Sequence, residues 1–451
     1  MKNIMDKLKE VLGFMPNNDQ SIAIERITKF LSDDCPDDVY ILKGSAGTGK
    51  TSIVKSLVHV LYGKGDWVRI LAPTGRAANI IYEKTGVRAQ TIHSAIYFPE
   101  TNDEGIVNFK RKENDDDKFT VYIVDESSMI SNQLHFQQDF KANKPLLYEL
   151  IDYVKEGNKK NKIIFVGDRF QLPPVKECFS PALSSDYLSR TFNLKCNEVE
   201  LYEVMRQDEE SDILSLATNV RDNMINKFDG YLNLNMQKTN GPTSALYSYL
   251  NQFDSGNLDN VAMICGSNRD VDWWNKTIRE RLGMSNHFLN VGDAIVTQVT
   301  WADQAGSMQF KGSFGTIISI STNIEAYAGL HFVDAEVRFM SNDREKIIQT
   351  KILLESIYTN SGRLSNDKER LFFAEVMKNN SKFRQTQNPW DDKYYGALRL
   401  RHGYAMTCHK AQGGEWDNVI IHPFKIGKDL PWTYTALTRA KKEVLTYQPC
   451  G

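Results

Sequence analysis

No apolar run in this 451-residue sequence approaches the ~20 residues that a membrane-spanning helix needs. The first fourteen residues are amphipathic, with Ile4, Leu8, Val11 and Leu12 at helical spacing, and lack the apolar core of a signal peptide. Cysteine is sparse and scattered: Cys35, Cys178, Cys196, Cys265, Cys408 and Cys450, with no CxxC pair. That excludes zinc-ribbon spacing and fits reduced thiols in a cytoplasmic protein. Neither charge sign is in excess: 55 Lys and Arg against 57 Asp and Glu, a net charge of −2. The balance argues against a polybasic nucleic-acid binder but says nothing of local patches. Internal repeats and low-complexity tracts are absent, so solenoids and disordered tails are excluded. What remains is an ordinary globular composition, 41% hydrophobic and 25% charged, in a chain long enough for about three domains.

The first half alternates short apolar runs with helical patterns. Strands are predicted at Val39–Leu42, Val68–Ala72, Val121–Val124 and Ile163–Val166, and helices at Lys50–Tyr62 and Ala77–Lys84. Such alternation predicts an α/β fold, a parallel sheet covered by helices. The polar stretch from Phe98 to Lys118 breaks the pattern and reads as a hairpin-like excursion, its Asp115–Asp117 run a solvated tip. A second α/β pattern begins near Leu201, with a helix over Asp212–Asn223, a strand over Val261–Ile264 and a helix over Arg269–Leu282. From Val291 the composition shifts to short strands and glycine turns, and the α/β signal returns at Tyr404 and Val419–Ile421. Two α/β domains with a small β module inserted in the second is the simplest organisation.

Gly44-Ser-Ala-Gly47-Thr48-Gly49-Lys50-Thr51 matches GxxxxGK[ST], follows a predicted strand and opens a predicted helix. The glycines let backbone N–H groups face phosphate oxygens at a helix N-terminus. Lys50 supplies charge at the β/γ-phosphates, and the Thr51 hydroxyl suits Mg²⁺. The strand ending in Asp125-Glu126 provides one carboxylate for Mg²⁺ and a second to orient or deprotonate water. Gln171, in Gly-Asp168-Arg-Phe-Gln171-Leu-Pro-Pro, carries a neutral amide able to sense a γ-phosphate. These strand ends define an NTPase but not its purpose, since a kinase, a switch GTPase or a motor would show the first two.

Further strings narrow the choice. Gln20 lies 24 residues before the phosphate loop. Leu71-Ala-Pro-Thr74-Gly-Arg76 and Gln90-Thr91-Ile-His93-Ser94 follow it. Arg206, Tyr404-Ala-Met-Thr407-Cys-His409-Lys-Ala-Gln-Gly413-Gly-Glu415 and Tyr434-Thr-Ala-Leu-Thr-Arg439 complete the order. From Gln20 to Arg439 the chain resembles superfamily 1 helicases, in particular the 5′→3′ group (superfamily 1B) of RecD-like and Dda-like enzymes. The resemblance implies two RecA-like domains: 1–97 with 119–200, and 201–290 with 399–451. It also implies a wedge at 98–118 and an SH3-like module at 291–398. It makes Gln20 an adenine reader, Arg206 and Arg439 fingers from the second domain, and Gly413 and Glu415 further nucleotide contacts. It places Thr74, Arg76, Thr91, His93, Asn268, Thr407 and His409 along a single-strand track. Hydroxyl and imidazole groups can hold such a strand without a large positive field.

Several alternatives stay open. His93 and His409 are track residues or buried structural histidines, and Asn268 a DNA contact or a helix N-cap. Phe98 and Phe109 stack on a junction or form the hairpin's own core, and Trp390 packs or contacts DNA or the wedge. Lys311-Gly-Ser-Phe-Gly315 replaces the Asn-Gly-Asp-type turn usual in the family's module. The resemblance implies a monomeric ATP-dependent DNA helicase acting on single-stranded DNA and at single-strand/duplex junctions. It would couple hydrolysis in an interdomain cleft to unwinding, with partners in DNA repair, recombination or replication. An RNA helicase or remodeller of the same superfamily, and a nucleotide-dependent switch that does not unwind, are the alternatives.

Overall fold

A computed structural model describes residues 2–62, 68–101, 107–134, 144–204, 212–284, 287–302, 308–309, 311–341, 344–359 and 362–449. It divides into two compact units. The first is Met1–Phe98, Lys110–Gln137 and Lys141–Asn226; the second is Lys227–Gly451 with Pro99–Phe109 and Gln138–Phe140.

The first unit begins with helices α1 (Lys2–Leu12) and α2 (Asn18–Phe30). Strand β1 (Val39–Gly44) leads into α3 (Lys50–Tyr62), β2 (Val68–Ala72) into α4 (Gly75–Thr85), and β3 (Gln90–Thr91) into α5 (Ile92–Ile96). A two-stranded excursion, β4 (Tyr97–Thr101) and β5 (Val107–Arg111), follows. Then come β6 (Val121–Val124), α6 (Leu146–Gly157), β7 (Lys162–Gly167), α7 (Ser185–Phe192), β8 (Cys196–Leu201) and α8 (Asp212–Ile225). The sheet order is β3-β2-β6-β7-β1-β8, and every pairing is parallel. All residues of β1, β6 and β7 are buried, as strands covered on both faces must be. Leu8 and Leu12 of α1, Ile24 and Ile27 of α2, and Leu57 and Val58 of α3 pack with Tyr40, Leu42 and Ile164 in one core.

The second unit carries β9 (Lys238–Thr239), α9 (Gly241–Gln252), β10 (Val261–Cys265) and α10 (Asn268–Arg281). An inserted region follows: β11 (Ala294–Thr297), the short pair β12 (Trp301–Ala302) and β13 (Met308–Gln309), then β14 (Phe314–Tyr327), β15 (Leu330–Ser341) and β16 (Arg344–Leu353). It closes with α11 (Asn366–Asn379), α12 (Ser381–Thr386) and β17 (Leu400–His402). The chain then returns to the α/β pattern with β18 (Ala405–Thr407), α13 (Cys408–Ala411), β19 (Trp416–Ile421), α14 (Leu430–Leu437) and β20 (Ala440–Tyr447). A parallel sheet, β18-β10-β19-β20-β9, forms the main body. The insertion is an antiparallel sheet, β16-β15-β14-β11-β17.

The α/β class and parallel sheets match expectation, and three details differ. The first unit runs to Asn226, so the segment expected to open the second domain at 201 packs in the first. The inserted sheet is built from long strands, β14 to β16, where short ones were expected. Finally, the excursion pairs only over 97–111. Within the run read as a solvated tip, Asp115 and Asp117 are exposed but Asp116 is anchored: its carboxylate accepts from Tyr122 Oη and stands 3.6 Å from Arg69, its side chain only 8% exposed.

Candidate functional site

In a parallel sheet every strand delivers its C-terminal end to the same edge, so the loops after neighbouring strands converge. Strand β7 lies between β1 and β6. The phosphate loop after β1, the Asp168–Gln171 turn after β7 and the Asp125-Glu126 pair after β6 therefore meet along adjacent strand ends, spaced by ~4.8 Å per strand.

The loop's shape follows from its glycines. Gly47 and Gly49 take φ of +78° and +84°, and a Cβ on Gly44 would stand 2.5 Å from Thr48 Oγ1. The fully buried Thr48 donates its hydroxyl to Ser45 O at 2.9 Å. Lys50 Nζ donates to Gly44 O (2.6 Å) and Ser45 O (2.8 Å), so the ammonium is folded over the loop. Thr51 is half-buried in the first turn of α3. Asp125 Oδ1 accepts from the N–H of Glu126 at 2.8 Å, and Glu126 itself has φ +51°, left-handed for a non-glycine residue. Asp168 is 1% exposed and holds its turn by accepting from Phe170 N at 3.0 Å. Gln171 is buried, and its Oε1 accepts no hydrogen bond among the described residues.

Gln20 is completely buried on α2. Its backbone N–H donates to Asn17 Oδ1 (2.9 Å) and its Oε1 accepts from Asn17 N (3.2 Å), a capping box. Its Nε2 donates to Thr48 O at 3.1 Å, which ties the helix start to the phosphate loop. One residue at the loop was not anticipated. Arg221 of α8 donates from Nη1 to Ser45 Oγ at 3.0 Å. No motif marks it; the only sequence signal is its place in a helix two turns from Leu214.

The proposed track residues fall at strand ends in each unit. Thr74 and Thr91 follow the paired strands β2 and β3, where Ala72 faces Thr91. Both act as N-caps: Thr74 Oγ1 accepts from Ala77 N (3.2 Å) and Thr91 Oγ1 from Ser94 N (3.1 Å). Arg76 and His93 are half-buried beside them, with the His93 ring 5.9 Å from that of Tyr97. In the second unit, Cys265 at the end of β10 faces Thr407 at the end of β18, which places Asn268 and Thr407 on neighbouring connections. Asn268 is not the cap of α10; Ser267 is, accepting from Asp270 N at 3.2 Å. Thr407 makes no side-chain cap of α13. His409 is half-buried, and burial, aided by Lys425, lowers its pKa, so near pH 7 it is a neutral hydrogen-bonding imidazole.

Arg439 is 4% exposed and, among the described residues, donates to neutral groups: Thr435 O (3.0 Å), Gly414 O (3.1 Å) and Thr438 Oγ1 (3.1 Å). The Gly414 contact links it to Gly413, at φ +71°, and the half-buried Glu415. Arg206 lies outside the described residues, as does the side chain of Phe109. Phe98 is 40% exposed, with Lys110 Nζ 5.8 Å from its ring centre. Trp390 is half-buried and lines a groove of about 630 Å³ with Trp301 on the inserted sheet. No cluster of three or more His, Cys, Asp or Glu suited to a metal occurs among the described residues.

Comparison with known proteins completes the description. Residues 15–238 match the AAA domain family and residues 402–446 the UvrD-like helicase C-terminal domain. The chain is 31% identical over 268 residues to the ATP-dependent DNA helicase dda of Enterobacteria phage T4, covering 57% of this chain and 55% of that protein. It is 28% identical over 177 residues to the ATP-dependent RecD2 DNA helicase of Deinococcus radiodurans, covering 39% of this chain and 21% of the other. The chain thus spans about half the phage protein and a smaller share of the other relative. Its fold matches that of a Pif1 helicase from Bacteroides in complex with ADP-AlF3 and ssDNA (TM-score 0.51, 18% identity, 96% of this chain and 92% of that one).

Proposed function

We propose that this chain is a superfamily 1B helicase, an ATP-dependent motor that moves 5′→3′ on single-stranded DNA and separates duplex strands. The observation that carries the reading is the convergence of the phosphate loop, Gln171 and Asp125-Glu126 on adjacent strand ends of one parallel sheet.

Each group has a task its chemistry fits. Lys50 and the loop amides hold the β- and γ-phosphates of ATP. Mg²⁺ favours oxygen ligands, which Thr51 and Asp125 offer, and when bound it would neutralise charge on the phosphates. The carboxylate of Glu126 orients the attacking water and receives its proton. The buried Gln171 Oε1 accepts from that water or from a neighbouring donor, so the amide reports the γ-phosphate. Gln20 reads adenine by exchanging its capping-box contacts for the base edge. Gly413 and Glu415 add nucleotide contacts, and Arg206 and Arg439 stabilise charge on the transferred phosphoryl group. The strand runs over Thr74, Arg76, Thr91 and His93 on one unit and Asn268, Thr407 and His409 on the other, held by hydroxyls, helix N-termini and imidazoles.

The test is strand separation on 5′-tailed and 3′-tailed duplexes with ATP and Mg²⁺, beside ATPase rates with DNA and RNA oligonucleotides of matched sequence. Unwinding of the 5′-tailed DNA duplex and DNA-stimulated hydrolysis are expected. ATPase indifferent to single strands would leave a nucleotide switch, and stimulation by RNA alone would leave an RNA remodeller.

A further inference from the structure

Helix α8 lies on the phosphate loop. A Cβ added to Gly47 would stand 3.2 Å from Val204 Cγ1 and 3.4 Å from Leu214 Cδ1 of this helix. Arg221 follows Leu214 by two helical turns and so projects from the same side of α8. Its side chain is 16% exposed. Nη1 donates to Ser45 Oγ at 3.0 Å, while Nε and Nη2 both donate to Asp222 Oδ1 at 3.1 Å. On the other side of Ser45, its carbonyl accepts from Lys50 Nζ at 2.8 Å.

Two cations, one a guanidinium and one an ammonium, thus converge on a single small residue of a loop built to receive phosphate. Among the described residues, the groups that accept from them there are the exposed Asp222 carboxylate and neutral oxygens. An anion with several oxygens would satisfy both at once, and the planar guanidinium matches a phosphate in fork geometry. The guanidinium's hydrogen bond to Ser45 ends on a neutral hydroxyl, and a phosphate oxygen would replace it with a contact between two charged groups. Lys50 marks the β/γ end of the loop, and Arg221 shares its residue, so the reachable group is the terminal phosphate.

We propose that Arg221 is a ligand of the γ-phosphate of ATP, supplied by the same unit that carries the phosphate loop and parked on Ser45 Oγ and Asp222 when no γ-phosphate is present. The proposal rests on the reading that this loop takes a nucleoside triphosphate. It adds to Arg206 and Arg439 a third arginine that tells ATP from ADP within a single unit.

The test uses the full chain with Mg²⁺ and two fluorescent nucleotides, a non-hydrolysable ATP analogue and ADP. Arg221→Ala should weaken the triphosphate by about tenfold or more, the size of a lost charge-assisted contact, and leave ADP within about twofold. Arg221→Lys should recover part of the difference. Ser45→Ala, which removes the parking contact and keeps the arginine, should retain the preference for triphosphate. Thermal melting of each variant reports any loss of fold. Equal weakening of both nucleotides by Arg221→Ala and Ser45→Ala, with lowered melting temperatures, would make Arg221 a brace between α8 and the loop and overturn the proposal. Unchanged triphosphate selectivity in a folded Arg221→Ala would overturn it as well. Should the unaltered chain bind neither nucleotide, the reading of the loop itself falls; selective binding by that chain isolates the question to Arg221.

Discussion

The polar side chains singled out from the sequence are nearly all engaged in hydrogen bonds to neutral partners. Lys50 holds two carbonyls, Gln20 closes a capping box, Thr74 and Thr91 cap helices, and Arg439 grips two carbonyls and a hydroxyl. A neutral contact contributes ~1 kcal/mol and one from an ammonium or guanidinium ~1.5–3 kcal/mol, and a phosphate or a base can take the place of either. Removing the charge itself is different. Lys50→Ala should reduce ATP turnover to below about 1% of the parent rate, because phosphate charge in a dry loop is left uncompensated. Glu126→Gln should keep ATP affinity within a few-fold and lower kcat by ~10²-fold or more, the share of a positioned base. Single-turnover hydrolysis beside equilibrium nucleotide binding separates the two, and a fast Glu126→Gln would remove it from the chemistry. At this scale the sequence was legible where the residues are contiguous, as in the phosphate loop. Arg221 was not, because its partner Ser45 lies 176 positions away. Nor was the anchoring of Asp116, which only the fold brings under Tyr122.

Among elements, the link between α10, β11, β17 and β18 rests on buried charge. Asp293, fully buried, accepts from Arg279 Nε (2.8 Å) and Nη2 (2.9 Å), from Tyr404 Oη (2.7 Å) and from Asn290 N (2.7 Å). Beside it, burial and the Arg279 charge push the His402 pKa down to about 4, partly opposed by Asp293. An unfolded histidine titrates near ~6.5, so the unfolded chain takes up the proton first. Stability from this site is complete above pH ~6.5 and falls as pH drops toward 4, by up to about 3 kcal/mol. Melting temperature measured from pH 7.5 to 5 should decline, and His402→Gln should flatten that decline. An unaltered slope would assign it to other groups. The hairpin invites a second element-scale test. Arg111 on β5 pairs with Glu156 (2.8 Å) and Glu149 (3.5 Å) of α6, which fastens the base of the hairpin. Replacing 99–109 with a short Gly-Ser turn should spare DNA-stimulated ATPase and reduce unwinding several-fold; undiminished unwinding would end the wedge reading. Most element positions were legible because buried parallel strands read as unbroken apolar runs, Val39–Leu42 and Ile163–Val166 among them. The assignment of α8 was not, because its apolar face fits either of two sheets and only tertiary contact decides.

For the molecule as a whole, the net charge of −2 is compatible with the proposed track of hydroxyls, helix starts and imidazoles, of which His409 is neutral near pH 7. A strand held this way can be released at every step, whereas each neutralised phosphate would add salt-sensitive affinity. The long β-ribbon escaped the sequence reading because its outer stretch alternates polar and charged residues without a continuous apolar signal. That ribbon also bears on how the chain reaches its native state. In the second unit, Met263 of β10 pairs with Ala405 of β18, two residues 142 positions apart. Closing so long a loop from an open chain is slow. The β14–β15–β16 meander needs only neighbouring residues to pair, and β11 then meets β17 within it. Once those form, the Arg279–Asp293–Tyr404 clasp holds entry and exit together. The inserted module is thus suited to act as the folding template of the unit that contains it, bringing β10 and β18 into register before the parallel sheet exists.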